Sequence, residues 1–582
     1  MTEHFFISYC CRKRPPCAWT HTVVLLDAIQ PGRQRRLDLE QGLDHPFADS
    51  PRRGPVPAAI PVRSRRARSR SRRYSMILRM SIFHRSVRLG AFAFLVALCA
   101  RADVTLPTIL AEHMVVQRDL PVHIWGIAGP GEAVSVSFRG ETRSASADPL
   151  GRWSLYLPPG EAGGPFELTI KAANTIKLTD VLVGDVWVAS GQSNMELPVS
   201  AAANAHAEIA AANFPRIRLF QAIDKVSDYP LDDIAARGNW APCSPETVAR
   251  FSAVAYYFAR HLQQKLNVPI GLIESDWGGT PADAWTSLRA LSADTALMPV
   301  FAEWARINDD RATVMLDRQK QERDWARAAA KARSEGAAPP PRQWQPNGNN
   351  SWMPAGLFNA MIAPLTPFPI RGAIWYQGES NTSPERAPIY ARLFQTMIHD
   401  WRHAWGQGDF PFLFVQLANF KTSPQSLWPE VRDAQRQTLA LANTGMAVII
   451  DIGDPDNIHP TDKQDVGLRL ALAARAIAYG EKIEFSGPLF RQATPEAGGL
   501  RVWFDHAQDG LSAKGGDLQG FEIAGADRKF VPAAARIDGT AVVVSSHDVT
   551  SPVYVRYGWA DNPACNLYNS AGLPASPFRS GE

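Results

Sequence analysis

The chain has 582 residues, of which 45% are hydrophobic and 20% are charged, the composition of a folded protein with roughly two to four domains. Its formal net charge of +4 is uneven, because residues 1–102 hold 19 of the 61 Lys and Arg but only 6 of the 57 Asp and Glu. Residues 103–582 therefore carry a net charge of −9, which argues against a nucleic-acid partner.

The first hundred residues have the pattern of a leader. Residues 1–75 are rich in Arg, Pro and Ser, a composition that predicts disorder. Residues 76–102 combine a basic start, an apolar stretch and an A-x-A ending at Ala102, as a cleaved secretory signal does. We expect translation to begin at Met76 or Met80, so that residues 1–75 are upstream sequence translated by mistake; a basic arm that binds nucleic acid is the alternative. Cleavage near Ala102 predicts export to the periplasm or the medium.

After the leader, the sequence has no strong pattern of a membrane span, a metal site or a disulfide framework. No other apolar run is long enough to span a bilayer, so we expect no stable membrane insertion after cleavage. Cys243 and Cys565 make no disulfide framework and have no metal-ligand spacing, and the sequence leaves open whether they pair. We therefore expect neither a metal nor a cofactor, while the oligomeric state stays undetermined.

Hydrophobic patterning divides the remaining chain into three parts. Residues 103–180 alternate apolar and polar residues between Gly, Pro and Asp turns, which predicts an N-terminal β-sandwich-like module. Across residues 181–480, short apolar runs alternate with helical segments, which predicts an α/β domain with a doubly wound parallel sheet. Residues 481–582 return to β patterns and predict a C-terminal β segment. The charged insertion 299–348 is either a lid or a solvated helical excursion, and its charges favour the second interpretation.

The stretch GDVWVASGQSNMEL places Ser193 in a polar turn directly after a predicted buried strand. A turn with a helix cap is the ordinary explanation of such a position. A serine nucleophile is the other explanation, and it requires a base that is itself oriented by a third group. The search is therefore for a His with a carboxylate beside it.

His459 is the candidate base, because it follows an apolar run in the loop IIDIGDPDNIHPTDKQ. Asp456 precedes it by three residues, a spacing that in a loop or helical first turn lets the carboxylate reach Nδ1 while Nε2 faces Ser193. The acidic loop also suggests calcium, but an EF-hand register from Asp454 puts His459 where Gly is needed. N-capping by Asp456 or Asn457 is a further alternative.

Acyl transfer also needs hydrogen-bond donors for the developing oxyanion, and two further loops offer them. In ESDWGGTPADAW, Gly278 and Gly279 follow a predicted strand and let backbone N–H groups approach a ligand closely. In WYQGESN, Gln377 and Asn381 carry amide donors on either side of Glu379. Taken singly, each loop is better explained as an ordinary strand-to-helix turn. Residues 103–582 contain neither a phosphate-binding loop nor the G-x-S-x-G nucleophile elbow.

The four motifs GQSN, GG, QGESN and DNIHP occur in this order, each after a predicted strand. As a set they resemble the SGNH hydrolases, and more closely the sialate O-acetylesterase group of carbohydrate esterases. LFNAMIAPL and NLYNSAGLPASPFR extend the resemblance over essentially residues 103–582. The resemblance implies an SGNH-hydrolase-like, three-layer fold, with Ser193 as nucleophile, His459 as base and then acid, and Asp456 as the residue that orients it.

The resemblance also implies an oxyanion set made of the Ser193 N–H, one glycine of the 278–279 pair and Asn381. The third motif departs from the Gly-x-Asn-Asp pattern of the wider superfamily, because Glu-Ser-Asn follows Gly378. The shifted amide leaves Gln377 as an alternative to Asn381 and suggests that Glu379 braces the loop.

We therefore expect an exported serine esterase that releases acetate from O-acetylated sugars through an acetyl-enzyme, with sialic acids as the favoured substrates. An acetylesterase of xylan or another polysaccharide is the alternative within the enzyme class. A non-catalytic carbohydrate-binding protein on a hydrolase scaffold is the alternative from another class. A net charge of −9 does not attract an acidic sugar, so sialate binding requires local Arg or Lys side chains.

Overall fold

Strands and helices in the computed structural model alternate much as the hydrophobic pattern predicts. The structure describes residues 103–337, 339–340 and 350–581, so the predictions for residues 1–102 and for part of the insertion lie outside it. The N-terminal strands are β1 (Val115–Gln117), β2 (Val122–Ile127), β3 (Ala133–Phe138), β4 (Glu141–Ser146), β5 (Arg152–Leu157), β6 (Gly163–Lys171) and β7 (Thr175–Gly191).

Strands and helices then follow one another through the middle of the chain. The strands are β8 (Phe214–Gln221), β9 (Ala241–Cys243), β10 (Ile270–Asp276), β11 (Gly372–Tyr376), β12 (Phe412–Val415) and β13 (Thr444–Ala447). The helices are α1 (Ser193–Glu196), α2 (Ala205–Ala211), α3 (Pro245–Val248), α4 (Ala253–Leu266), α5 (Leu288–Ser292), α6 (Met298–Asp309), α7 (Arg311–Ser334), α8 (Tyr390–Trp405), α9 (Trp428–Gln437) and α10 (Lys463–Ile477). No helix in the described ranges is both long and apolar enough to cross a membrane.

The central sheet has the strand order β13-β12-β11-β7-β10-β8-β9. Neighbouring strands from β13 to β8 run parallel, and the edge strand β9 pairs antiparallel to β8. The molecule therefore has mixed α/β content around a sheet with a parallel centre, which confirms the predicted class at this level. In such a sheet the loops after the strands meet along one edge, and ligands bind there.

Strand β7 joins the N-terminal β module to this sheet. Its first half pairs antiparallel with β6 and its middle pairs parallel with β1, while its last residues pair with β10 and β11. The boundary expected between residues 180 and 181 therefore falls inside one continuous strand. Because the strand is continuous, the N-terminal module and the parallel sheet share a common hydrogen-bonded backbone.

Alternate residues of the central strands pack on opposite faces of the sheet. On one face Trp187 and Tyr376 join a buried cluster with residues of α4 and α10. On the other face Val188 and Trp375 join a cluster with residues of α8 and α9. Because helices cover both faces, the strands read as continuous apolar runs rather than as an alternating pattern.

The C-terminal strands form three small antiparallel sheets with a core of their own. Arg432 in α9 connects this part to the α/β part, since its buried guanidinium donates to the carbonyls of Leu417 and Ala418 and to those of Ala560 and Asp561. Cys243 and Cys565 are both free thiols. The strands are β14 (Leu489–Glu496), β15 (Gly499–Asp505), β16 (Leu511–Ala513), β17 (Phe521–Ala524), β18 (Val531–Pro532), β19 (Ala534–Asp538), β20 (Ala541–Ser545), β21 (Tyr554–Tyr557), β22 (Leu567–Asn569) and β23 (Phe578–Arg579).

A buried carboxylate on β7, that of Asp185, is bound by groups from three parts of the chain. It accepts hydrogen bonds from Arg118 at 2.9 and 3.0 Å, from Arg371 at 3.0 and 3.1 Å, and from the Tyr479 hydroxyl at 3.0 Å. Burial alone would raise the pKa of Asp185, but the two guanidinium groups outweigh it and lower that pKa. The carboxylate thus connects the N-terminal module, the start of β11 and the segment after α10.

Replacement of Asp185 by Asn is expected to lower the free energy of unfolding by roughly 3–5 kcal/mol, because two guanidinium groups lose their anionic partner. Since the pKa of Asp185 is lowered in the folded state, its contribution is complete above the ordinary value of 3.8 and is lost as the pH falls through the lower folded value. Urea unfolding at several pH values measures both effects. Asp119→Asn is the control, because this partner of Arg371 is 61% exposed and should cost less than about 1 kcal/mol. Equal losses in the two variants would contradict the argument.

Candidate active site

Ser193 lies at the first position of α1, immediately beyond the end of β7. The Gln192 N–H donates to the Tyr376 carbonyl at 3.0 Å, which ties the turn to the neighbouring strand. A Cβ atom on Gly191, whose φ is +141°, would lie 2.1 Å from that same carbonyl oxygen, so only glycine fits there. The cap position of α1 is Gln192 and no side chain caps the helix, so Ser193 is free for another role.

The His459 ring contacts the Ser193 hydroxyl, although the two residues are far apart in the sequence. Nε2 of His459 and Oγ of Ser193 are 2.8 Å apart, and both residues are half-buried. The loop that carries His459 is held locally, since its backbone N–H donates to the Asn457 side chain at 3.0 Å. Burial, together with the nearby Lys463 ammonium, lowers the pKa of His459 below its ordinary value of 6.5. The imidazole is therefore neutral at pH 7 and can accept a proton.

Asp456 does not make the contact expected of it. Its carboxylate is 81% exposed and accepts a hydrogen bond from Lys421 Nζ at 3.0 Å, and no hydrogen bond or ion pair in the described residues joins it to His459. The prediction assumed that a spacing of three residues brings the side chains together, which holds for helical backbone. Here the segment is a turn, with a bridge between Asp454 and Asn457, and the side chains diverge.

A buried polar network lies behind the Ser193–His459 pair, and the motif search missed it. Asn194 donates to the Ile458 carbonyl at 2.9 Å and to Glu379 at 2.7 Å, and its Oδ1 accepts a hydrogen bond from Lys463 Nζ at 2.6 Å. Because Asn194 follows Ser193 and Ile458 precedes His459, this amide fixes the backbone of the nucleophile candidate against that of the base candidate. The position of Asn194 in the GQSN motif, next to the serine, was the sequence feature that could have indicated its role.

Lys463 and Glu379 are the charged members of this network. Burial lowers the pKa of Lys463 to about 7, an effect that Glu379 partly opposes. Burial raises the pKa of Glu379, and its Oε2 has no hydrogen-bond partner in the described part of the chain. The bracing role expected for Glu379 is thus seen as a hydrogen bond to Asn194 rather than as a contact within its own loop.

The two glycines of the second loop differ in what their N–H groups do. The Gly278 N–H donates to the Glu196 carboxylate at 2.6 Å, so this donor is already engaged. The Gly279 N–H donates no hydrogen bond within the described residues, and this residue has a φ of +71° that favours glycine. A Cβ atom on Gly278 would lie 3.2 Å from the Ser193 Cβ, so this loop passes directly beside the candidate nucleophile.

Gln377 and Asn381 are both fully buried, and their amides have different partners. Gln377 Nε2 donates to Asn381 Oδ1 at 2.6 Å and to the Thr280 carbonyl at 3.2 Å. Asn381 Oδ1 also accepts from the Ala282 N–H at 3.0 Å, whereas its Nδ2 has no partner in the described chain. Of the two amides, that of Asn381 therefore retains unused donors, and Gln377 orients it.

Two buried carboxylates lie on β10, and one of them, that of Glu274, supports the nucleophile turn through Ser252. Glu274 accepts hydrogen bonds from the Ser252 N–H at 3.0 Å and from Gln221 at 2.9 Å, while the Ser252 hydroxyl donates to the Met195 carbonyl at 2.6 Å. Burial, together with nearby Glu196, raises the pKa of Glu274 to about 8, and burial also raises that of Asp276. No group of three or more His, Cys, Asp or Glu side chains in the described ranges is arranged to hold a metal ion.

Comparisons with known proteins show which family the chain resembles. A family model described as carbohydrate esterase, sialic acid-specific acetylesterase, matches residues 340–478. The sialate O-acetylesterase of Mus musculus is 34% identical over 518 residues, which cover 80% of this chain and 92% of the mouse protein. That of Homo sapiens is 32% identical over 521 residues, covering 80% and 90%. The crystal structure of a carbohydrate acetylesterase from Xanthomonas citri is 40% identical with a TM-score of 0.71, covering 82% of this chain and 100% of that one.

A Ser–His pair at the edge of a parallel sheet, together with these similarities, defines the chain as a carboxylic ester hydrolase of the carbohydrate esterase class. Most of its length aligns with nearly the whole of the mammalian proteins. The chain belongs to the sialate O-acetylesterase family.

Replacement of Lys463 by Met is expected to move the acid limb of the kcat/KM profile to higher pH. The ammonium lowers the pKa of His459, so its removal lets the imidazole bind a proton at a higher pH and inactivates the base there. Hydrolysis of p-nitrophenyl acetate between pH 4.5 and 8 measures the limb. Lys463→Arg keeps the positive charge and should leave the limb in place, and identical profiles for wild type and Lys463→Met would contradict the electrostatic argument.

Proposed function

We propose that the protein removes acetyl groups from sugar hydroxyls, with O-acetylated sialic acids as substrates, through a covalent acetyl-enzyme on Ser193. The observation that carries this proposal is the 2.8 Å contact between Ser193 Oγ and His459 Nε2. A serine hydroxyl becomes nucleophilic when a neutral base accepts its proton, and the lowered pKa of His459 supplies that base at neutral pH. Membership of the sialate O-acetylesterase family supports the choice of acyl group and sugar.

The proposed reaction has two steps. His459 Nε2 takes the Ser193 proton as Oγ attacks the acetyl carbonyl carbon, and the resulting imidazolium then donates that proton to the sugar oxygen as the C–O ester bond breaks. A water molecule next attacks the acetyl-enzyme, again losing its proton to His459, and acetate leaves as Ser193 is regenerated. Atoms and charges balance without a metal or cofactor in either step.

Three groups are proposed as donors to the oxyanion that forms in each step. The Ser193 N–H is at the first turn of a helix, where no intrahelical acceptor exists. The Gly279 N–H and Asn381 Nδ2 are the unengaged members of the two neighbouring loops. The hydrogen bonds already made by Gly278 and Gln377 favour supporting roles for these two residues.

We also propose an SGNH-hydrolase-like, three-layer arrangement for the α/β part, supported by the helix clusters on both faces of the sheet. Export after cleavage near Ala102 remains a proposal that rests on the sequence pattern alone.

Replacement of Ser193 by Ala is expected to reduce acetate release from O-acetylated sialic acid by more than about a thousandfold, because the variant lacks the hydroxyl that forms the proposed acetyl-enzyme. Acetate release by residues 103–582 is measured on this substrate and on acetylxylan. Ser200→Ala is the matched control, since this exposed serine lies outside the site and its loss should leave the rate unchanged. Wild-type activity in Ser193→Ala would remove the nucleophile assignment, and wild-type activity on xylan alone would remove the sialate assignment.

An orienting role for Asp456 is a separate proposal, because it requires the carboxylate to turn from Lys421 to the Nδ1 of His459. The spacing within one exposed loop and the family resemblance support it. Under this proposal Asp456→Asn lowers kcat by roughly 10²- to 10⁴-fold with little change in KM, since the wrong tautomer is then favoured. Lys421→Met, which frees the carboxylate, should leave kcat within about twofold of wild type. If Asp456→Asn keeps the wild-type kcat, Asp456 has no part in catalysis and the network around Asn194 positions the base alone.

A further inference from the structure

A cleft beside the candidate nucleophile is not used by the acetyl chemistry. It has a volume of about 560 Å³, within the range of small-molecule sites. Its lining includes the aromatic side chains of Tyr229 and Trp277, the charged side chains of Asp224, Lys225 and Asp228, and the amide of Asn350.

The position of Trp277 connects this cleft to Ser193. Its backbone N–H donates to the Gly191 carbonyl at 3.2 Å, so it lies against the end of the strand that carries the nucleophile turn. A Cβ atom placed on the next residue, Gly278, would lie 3.2 Å from the Ser193 Cβ, so the chain passes close to the candidate nucleophile. Asp224 lies near Glu196, the residue that accepts the Gly278 N–H, and its charge contributes to the raised pKa of Glu196 after burial. An ester whose acetyl group reaches Ser193 therefore has its alcohol portion close to this cleft.

The side chains in the cleft have the chemistry that binds a sugar ring. Tyr229 is 67% exposed and Trp277 is half-buried, so both offer apolar ring surface together with a polar hydrogen-bonding group. Carboxylates are strong acceptors for sugar hydroxyls, and Asp224 and Asp228 supply two of them. Lys225 adds an ammonium donor to the lining.

The balance of charge in the cleft bears on which sugars fit. Two carboxylates, those of Asp224 and Asp228, line it against the ammonium of Lys225, and no arginine is among the described residues of its lining. A further carboxylate placed beside that of Asp228 would be repelled by it, and Lys225 is the one cation in the described lining that could offset the repulsion. A neutral ring meets no such repulsion and keeps the hydroxyl contacts.

We propose that this cleft is the subsite for the sugar ring, and that it admits neutral O-acetylated sugars at least as readily as O-acetylated sialic acids. The proposal rests on the proposed ester hydrolysis at Ser193 and extends it to a second class of substrate. Tyr229 and Trp277 pack against the ring, Asp224 and Asp228 accept hydrogen bonds from its hydroxyls, and the acetyl group points to Ser193.

The test compares KM and kcat on three esters: an acetylated xylo-oligosaccharide, an O-acetylated sialic acid and p-nitrophenyl acetate. Wild type is expected to hydrolyse the neutral oligosaccharide with a KM no higher than that for the sialic acid. Tyr229→Ala is expected to raise the KM for the oligosaccharide by about fivefold or more relative to p-nitrophenyl acetate, because the lost contact is made equally in ground and transition states. Trp277→Phe, which keeps an aromatic ring, should have a smaller effect in the same direction.

Tyr156→Ala is the matched control, since that tyrosine is 60% exposed on the N-terminal module and should leave the KM for each sugar unchanged. The proposal is overturned if Tyr229→Ala leaves the KM for the oligosaccharide unchanged, or if wild type cleaves only the sialic acid ester. A different result would show that the proposed ester hydrolysis at Ser193 is itself wrong. In that case wild type would release acetate from none of the three esters, or Ser193→Ala would remain active.

Discussion

The parallel pairing of the central strand Thr175–Gly191 with its two neighbours is the constraint on which the site depends. Its last residue, Gly191, stands opposite Asp276 on one side and opposite Tyr376 on the other. Because the three strands end in register, the turns after them carry Ser193, the 278–279 pair and the 377–381 segment to one place. The close approach of the Gly191 backbone to the Tyr376 carbonyl keeps this edge compact and leaves no room for a side chain.

Buried polar groups then add what backbone pairing cannot. The Asn194 amide contacts both the Ile458 carbonyl and the charged pair Lys463 and Glu379, so the loop that carries His459 is held against the turn that carries Ser193. Burying these charges costs free energy. Burial therefore lowers the pKa of Lys463 and raises that of Glu379, and both shifts favour the neutral form of the group. Earlier on the same strand, where its pairing with Ile270–Asp276 begins, Asp185 stays ionised because two arginines donate to it. One strand thus carries an ion network where it enters the parallel sheet and leads, beyond its last residue, to a buried network whose charged groups are shifted toward neutrality.

The division between chemistry and recognition follows from this arrangement. The candidate groups on Ser193, Gly279 and Asn381 lie on turns that follow strands of the parallel sheet. The residues that line the adjacent cleft lie mainly on the segment 224–229, outside the regular strands and helices, where substitutions disturb the sheet least. Under the proposals above, a substitution at a loop residue such as Tyr229 alters sugar recognition and leaves the turn that carries Ser193 in place.

Much of the fold and part of the site could be predicted from the sequence, for a definable physical reason. Apolar runs bounded by turns identified the strands of the parallel sheet, and polar residues placed directly after those runs identified Ser193, His459 and the two donor loops, because strand ends are local features.

Which side chains bond to each other is not a local property of the sequence. The sequence suggested that Asp456 faces His459, whereas a non-helical turn directs it to Lys421. The sequence left both Gln377 and Asn381 as candidate oxyanion donors, whereas the hydrogen bonds of Gln377 to Thr280 and of Asn381 to Ala282 distinguish the two amides. It gave no indication that Asn194 and Lys463, 269 residues apart, form one network. Residue order determined which groups stand at the strand ends; only tertiary packing decided which of them touch, because hydrogen bonds and burial depend on distances that the chain acquires when its distant segments meet.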